Sequence, residues 1–266
     1  MAKKYLQRAV LVATVFFVVA CGTTRNTTDV EDASVEPLRV GITSDYPPLI
    51  FRVGKLEDKI VGIEADLARQ LAKELNRSVR FVEMPWEYQI PSLLAGKTDI
   101  IMSGMTVTDA RKVRIYFTEP YLKTGLSVLM RSEDLPAYES SKGQWQGFMN
   151  IGVQKGTTGD VYVQQHFPNI NKVPLLEIRD APIELRRRSI DLFVHDTPAI
   201  MWLVSANEGD FSALKLPSPE QWYAWGISRD NSELIKSVNR ILANWRANGT
   251  LDQILKRWIP NLQTVE

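Results

Sequence analysis

Metal-ligating and nucleophilic side chains are scarce in this sequence. Its 266 residues include one cysteine, Cys21, and two histidines, His166 and His195. A lone cysteine excludes an internal disulfide framework, and its place near the N-terminus leaves the rest of the chain without a thiol nucleophile or a Cys-based zinc site. Two histidines with no His-x-x-x-His or carboxylate–histidine cluster at ligand spacing offer no metal site, so no metal and no cofactor is expected. No G-x-S-x-G signature is present for a serine nucleophile. An excess of charge is lacking too. The 32 Lys and Arg balance 31 Asp and Glu to a net charge of +1, and the basic residues are scattered, which removes the case for nucleic acid as a partner. No hydrophobic run reaches the ~20 residues that a membrane-spanning helix needs.

What is present is ordinary for a globular protein: 44% hydrophobic and 24% charged residues, in a length that suits one large domain or two lobes. The N-terminus stands apart. Lys3, Lys4 and Arg8 precede an apolar run over 9–20, the pattern of a signal peptide. The run ends in Val18-Val19-Ala20-Cys21-Gly22, which resembles a bacterial lipobox. Residues 1–21 are therefore expected to be a lipoprotein signal peptide with lipid attachment at Cys21, holding the protein on a membrane without spanning it. An ordinary signal peptide with an incidental cysteine is the alternative. Residues 22–37 are small and polar with no hydrophobic periodicity, which predicts a disordered tether.

From Leu38 onward strands and helices alternate. Strands are expected at 38–42, around Val79 and Phe81, at 100–101, 126–130, 151–154, 175–178 and 191–194. Ile63, Leu67, Leu71 and Leu75 fall on one face of an amphipathic helix. A second helix over 90–94 should stop at Gly96, and two more over 232–248 and 251–258 should be separated by Asn248-Gly249. This alternation predicts an α/β architecture with ligand sites at the carboxyl ends of strands.

Three segments at strand ends carry candidate chemistry. In Ser103-Gly104-Met105-Thr106-Val107-Thr108-Asp109-Ala110-Arg111, Thr108 is a suitable N-cap and Arg111 falls in the first turn that follows. Arg111 reads either as a surface arginine or as a fork that binds both oxygens of a carboxylate. Gly152-Val153-Gln154-Lys155-Gly156-Thr157-Thr158-Gly159-Asp160 leads from a strand into a helix expected at 161–166; it is either an ordinary turn or an anion site built from backbone N–H groups. In Phe193-Val194-His195-Asp196-Thr197-Pro198, Asp196 is either a helix cap or an acceptor for an ammonium. Taken together the three supply a cation and a helix end for a carboxylate and an anion for an amine, the charge pattern of an α-amino acid.

These segments, with RVGITSDYPPL (39–49), VGIEADLARQLAKEL (61–75), PWEYQIPSLLAGKTDIIMSGMTVTDAR (85–111), YFTEPY (116–121) and LFVHDTPA (192–199), resemble the bacterial extracellular solute-binding proteins of family 3. The SGMT-x-T-x-x-R element is the most specific. The resemblance implies a type II periplasmic-binding-protein fold, two lobes joined by a two-crossing hinge. Lobe 1 would be 38–121 plus 222–266 and lobe 2 would be 122–221, with crossings near 121–125 and 217–222. It implies that Arg111 clamps a ligand carboxylate and that Thr106 serves both carboxylate and ammonium. Ser103 and Gly104 would offer acceptors, Thr158 would donate to the carboxylate from the opposite lobe, and Asp196 would pair with the ammonium. Tyr46 and Trp86 would sandwich the ligand side chain, or Trp86 would pack in the core, and His195 matches a histidine of glutamine-binding members. Thr43 stands where basic-amino-acid and glutamine binders carry an aspartate, unless Asp45 takes that role, which argues against a lysine- or arginine-selective pocket; a neutral or polar ligand is expected, with a glutamine-like one as a candidate within that class. The implied partner is an ABC transporter permease, the implied place the periplasm or cell surface, and the implied state a monomer.

Two rivals share the fold. Cyclohexadienyl (arogenate/prephenate) dehydratases have motifs resembling TSDYPP and IMSGMTV, but the general acid expected three residues after Asp196 is replaced by Ala199; Glu119 is a candidate substitute. A sensory or regulatory binding module is the other, and the chain ending soon after its last helix favours a transporter receptor over it.

Overall fold

The computed structural model describes residues 36–54, 59–140 and 149–260. The signal peptide, Cys21 and nearly all of the tether lie outside the described residues. Two five-stranded mixed sheets organise what is described. In the first, Leu38–Ile42 pairs in parallel with Val79–Glu83 and with Ile100–Ile101, and Gly226–Ile227 enters antiparallel between Ile100–Ile101 and Tyr116–Phe117. In the second, Asn150–Gln154 lies between Asn171–Leu175 and Leu192–Asp196, all parallel; Leu126–Arg131 then runs antiparallel between Leu192–Asp196 and Phe211–Lys215. Each sheet is therefore three adjacent parallel strands, one reversed strand, and an edge strand that runs with the first three. Between the sheets the chain crosses as Leu122–Thr124 and returns as Gln221–Tyr223, and the two crossings pair with each other, Lys123 opposite Trp222.

The inner parallel strands, Leu38–Ile42 and Leu192–Asp196 among them, are buried along most or all of their length because helices cover them. Helix Ile63–Glu74 presents Ile63, Leu67 and Leu71, all fully buried, at the expected spacing of four. Helix Ser232–Ala247 buries Leu234, Val238, Ile241, Leu242 and Trp245 in the same core as Leu38, Val40 and Ile42. Each such aliphatic side chain taken from water contributes about 1.5–3 kcal/mol toward holding these helices on the first sheet.

Most expected elements lie within a residue or two of their sequence positions: Gln89–Leu94, Asn150–Gln154, Leu192–Asp196 and Thr250–Trp258. The helix expected at 161–166 starts earlier, as Thr158–His166, because Thr157 caps it, and one strand requires correction. The strand expected at 175–178 is Asn171–Leu175, and it ends where Leu175 pairs with Gln154. A reciprocal capping box between Glu177 and Asp180 then turns the chain into the 3-10 turn Ile178–Asp180 and helix Ala181–Arg186. Leu176, whose apolarity suggested a strand, is 90% exposed.

Candidate functional site

A small antiparallel sheet, Asp45–Tyr46, Ile50–Val53 and Lys59–Val61, brings Tyr46 to the carboxyl end of strand Leu38–Ile42. There a cavity is lined from the side of the first sheet by Thr43, Tyr46, Trp86, Gly104, Thr106 and Arg111. From the side of the second come Gln154, Thr157, Thr158, His195 and Asp196. The three strand-end segments singled out in the sequence thus meet around one space, because parallel strands aim their following loops the same way.

Arg111 is set by a short helix, Asp109–Lys112, whose N-cap Thr108 accepts the Arg111 backbone N–H. Its guanidinium donates to the Thr106 carbonyl (2.7 Å) and, across the cavity, to the Gly156 carbonyl (3.2 Å), and lies 5.0 Å from the centroid of the Trp86 ring. Burial pulls the Arg111 pKa below its ordinary value, and the charge of Asp196 opposes that fall. The Trp86 indole N–H also donates to Gly156 (3.2 Å), and the ring packs on a cluster of Leu93, Ile101, Met105 and Ile115. Trp86 therefore has one foot in the core and one in the cavity.

Asp196 occupies the N-cap position of helix Thr197–Ser205 but makes no side-chain cap. Its carboxylate turns into the cavity instead. Thr158 Oγ1 donates to Oδ1 (3.1 Å), while the hydroxyls of Tyr46 and Tyr223 (2.8 Å) both reach Oδ2. Those two hydroxyls are 2.6 Å apart, and burial raises the pKa of each well above the ordinary value, so both remain protonated donors. Oδ1 keeps spare acceptor capacity for one further donor.

His195 is buried beside it, edge-on to Tyr46 and stacked on Phe193. Its Nδ1 accepts the Asp196 backbone N–H (2.8 Å), which places the proton on Nε2, facing Gln154 Oε1 at 3.3 Å. Burial lowers its pKa, so the ring is neutral at pH 7. Gln154 completes the relay by donating to the Leu176 carbonyl (3.1 Å).

Helix Thr158–His166 begins at Thr157, whose hydroxyl accepts the Asp160 N–H (3.3 Å), and its open first turn faces the cavity. Gly159 is required by close approach: a Cβ there would stand 2.8 Å from the Val194 carbonyl. Gly104 is required by conformation, with φ +61 and a Cβ that would meet the Tyr46 ring at 2.5 Å. Ser103 lies behind the wall rather than on it: it is fully buried, and its hydroxyl accepts the Thr43 N–H (2.8 Å). Thr43 Oγ1 is held by Gln89 (3.2 Å) and the Met84 carbonyl (3.3 Å). Asp45 does not face the cavity. Its Oδ2 accepts the Ile178 N–H (3.1 Å), capping the 3-10 turn of the opposite sheet.

Sequence reasoning missed Gln154, Thr157 and Tyr223. Gln154 ends a strand in a segment already singled out, and its position alone was a usable signal. Tyr223 lies on the return crossing, in no motif. A larger groove of about 1510 Å³ runs beside the crossings, past Trp202, Trp222 and Trp258, and Glu119 lines it rather than the small cavity.

Two lobes of mixed sheet, two paired crossings and a polar cavity between them define the class as the type II periplasmic binding fold. The chain belongs to the bacterial extracellular solute-binding proteins, family 3, whose profile matches residues 38–261. It is 29% identical over 233 residues to ABC transporter arginine-binding protein 1 of Escherichia coli, covering 86% of this chain and 93% of that one. Among solved structures, a mutant of ArgBP from T. maritima aligns with a TM-score of 0.76 at 30% identity, covering 84% of this chain and 95% of that one. An ancestral amino acid-binding protein described as a precursor of cyclohexadienyl dehydratase aligns with a TM-score of 0.77 at 29% identity, over 84% and 95%. These relatives are amino-acid-binding proteins.

Proposed function

We propose that the protein is the substrate-binding lipoprotein of an amino-acid ABC importer, anchored through Cys21, and that it closes its lobes around a neutral or polar α-amino acid. The observation that carries this reading is one cavity with Arg111 on one side and Asp196 on the other, while every other lining side chain is uncharged. A zwitterion matches those two charges. A cationic side chain would find no third counter-charge, because the nearby Asp45 is turned to Ile178. Lobe 1 is proposed to comprise 38–121 plus 222–266 and lobe 2 to comprise 122–221, hinging at the paired crossings. Ligand docks on Arg111 and Thr106; closure brings Thr158 and Asp196 over it, and the closed form is what a permease reads. Ligand favours closure only through its tighter binding to the closed form. The open acceptor site on Asp196 Oδ1 suits an ammonium, and the Gln154–His195 relay suits an uncharged polar side chain.

A dehydratase reading draws support from the third relative, yet a general acid is needed to protonate a departing hydroxyl. Ala199 is buried and inert, and Glu119 lies in the other groove. The test is a thermal-shift screen of the purified protein against L-glutamine, the other neutral amino acids, L-arginine, L-lysine and L-histidine, with formation of phenylalanine and phenylpyruvate assayed in parallel. Specific binding raises Tm by mass action. The expected result is a rise with a neutral polar amino acid and no turnover. A rise with L-arginine or L-lysine alone overturns the ligand class; turnover overturns the binder.

A further inference from the structure

Glu64 sits in the first turn of helix Ile63–Glu74 with no exposed surface, and it lines neither the cavity nor the groove. A carboxylate removed this fully from water is costly unless its oxygens are bonded. Both are. Oε2 accepts the Gly104 backbone N–H at 2.5 Å, and Oε1 accepts the Tyr121 hydroxyl at 2.7 Å. Gly104 belongs to the loop that carries Thr106 and leads to Arg111, and its left-handed conformation gives that loop one shape. Tyr121 opens the outgoing crossing; its N–H donates to the Tyr223 carbonyl (2.9 Å) and its ring stacks on Tyr223 at 6.3 Å. The Tyr223 hydroxyl in turn reaches Asp196. Contacts thus run unbroken from Gly104 through Glu64, Tyr121 and Tyr223 to Asp196, joining the ligand-facing loop of one lobe, both crossings and the carboxylate of the other lobe.

We propose that Glu64 is a positioning residue: it ties the ligand-facing loop at Gly104 to the lobe crossing at Tyr121 and so fixes the geometry in which the two lobes meet a ligand. The proposal rests on the amino-acid-binding reading above. Burial pushes the Glu64 carboxyl up to about 7, against the bonds from Tyr121 and Gly104 and the nearby Trp225 indole N–H. The titratable groups around it are Tyr121 and, beyond, Tyr223 and Asp196; among the described residues no cation pairs with it.

The test uses the full chain with L-glutamine, L-arginine and L-histidine as probes, read by calorimetry, and the Gly104 amide resonance followed from pH 5 to 9. In the unsubstituted protein that amide is expected to titrate with a midpoint near 7. In Glu64→Gln it is expected to be flat, with affinity kept within about threefold, because a carboxamide accepts from Gly104 and donates to Tyr121. Glu64→Met orphans the Gly104 and Tyr121 donors and is expected to weaken binding about tenfold or more. Full affinity in a folded Glu64→Met overturns the proposal. Should Glu64→Met not fold, Tyr121→Phe removes only the crossing contact; a severalfold loss supports the link and unchanged affinity overturns it. If no amino acid of the thermal-shift screen binds the unsubstituted protein, the functional reading fails, and the change in the Gly104 amide resonance on Glu64→Met still decides whether Glu64 holds the loop.

Discussion

Arg111 makes contacts that explain why an arginine and not a lysine stands there. Two of its five N–H donors hold the carbonyls of Thr106 and Gly156, and its plane lies over Trp86. The fork is thereby fixed in direction while other donors remain for a ligand carboxylate. Removing it would leave a buried carboxylate without its partner, a loss of ~3–5 kcal/mol. Arg111→Ala is therefore expected to weaken ligand binding by roughly two to three orders of magnitude. Calorimetry with the ligand found by thermal shift checks this, and an unchanged Kd removes Arg111 from the site. Arg111 and Asp196 were legible in the sequence as one of two readings each, and Thr158 only through the family resemblance. Asp196 as a cap was equally legible. Only the hydroxyls of Tyr46, Tyr223 and Thr158 converging on it decide against that role. Tyr223 had no sequence signal, since what makes it part of the site is a neighbour 27 positions away.

At the scale of elements, helix Thr158–His166 is placed by Gly159, which lets the helix approach strand Leu192–Asp196 until a Cβ has no room beside the Val194 carbonyl. Backbone is the obstacle, so the neighbour cannot turn aside. Gly159→Ala should lift the helix start and carry Thr158 away from Asp196, at an overpacking cost of ~1–3 kcal/mol. A lowered Tm together with weakened ligand binding is the expected outcome; a lowered Tm with intact binding would separate the helix position from recognition. The alternating pattern made this strand–turn–helix unit readable. The turn after Leu175 was not, because Leu176 and Ile178 carry strand-like apolarity while the Glu177–Asp180 capping box sets the backbone.

At the scale of the molecule, the hydrogen bond from Ile178 N–H to Asp45 spans the two lobes. Burial, aided by Glu177, raises the Asp45 carboxyl to about 6 from an ordinary 3.8. If the proposed opening returns Asp45 to water, the closed form binds a proton that the open form does not at intermediate pH. Its contribution to closure is then fully present below the ordinary value and is lost as pH rises through about 6. Ligand affinity should accordingly strengthen by up to about tenfold between pH 7 and pH 5. Asp45→Asn should flatten that dependence while still accepting from Ile178. Isothermal titration at both pH values checks it, and equal slopes in the two proteins would assign the proton elsewhere.

The sequence by itself determined the alternation of elements, the helix faces that bury them, the family, and the three segments whose chemistry suits a zwitterion. All of these are local: periodicity, capping and residue type act within a few positions, so a linear reading captures them. Only the tertiary structure decided that Asp45 caps a turn in the other lobe, that Gln154 and His195 form a relay, and that Glu64 joins a loop to a crossing. Each of those pairs residues 40 to 133 positions apart. Which distant polar group satisfies a buried one depends on how sheets and crossings bring them together, and no spacing along the chain encodes that.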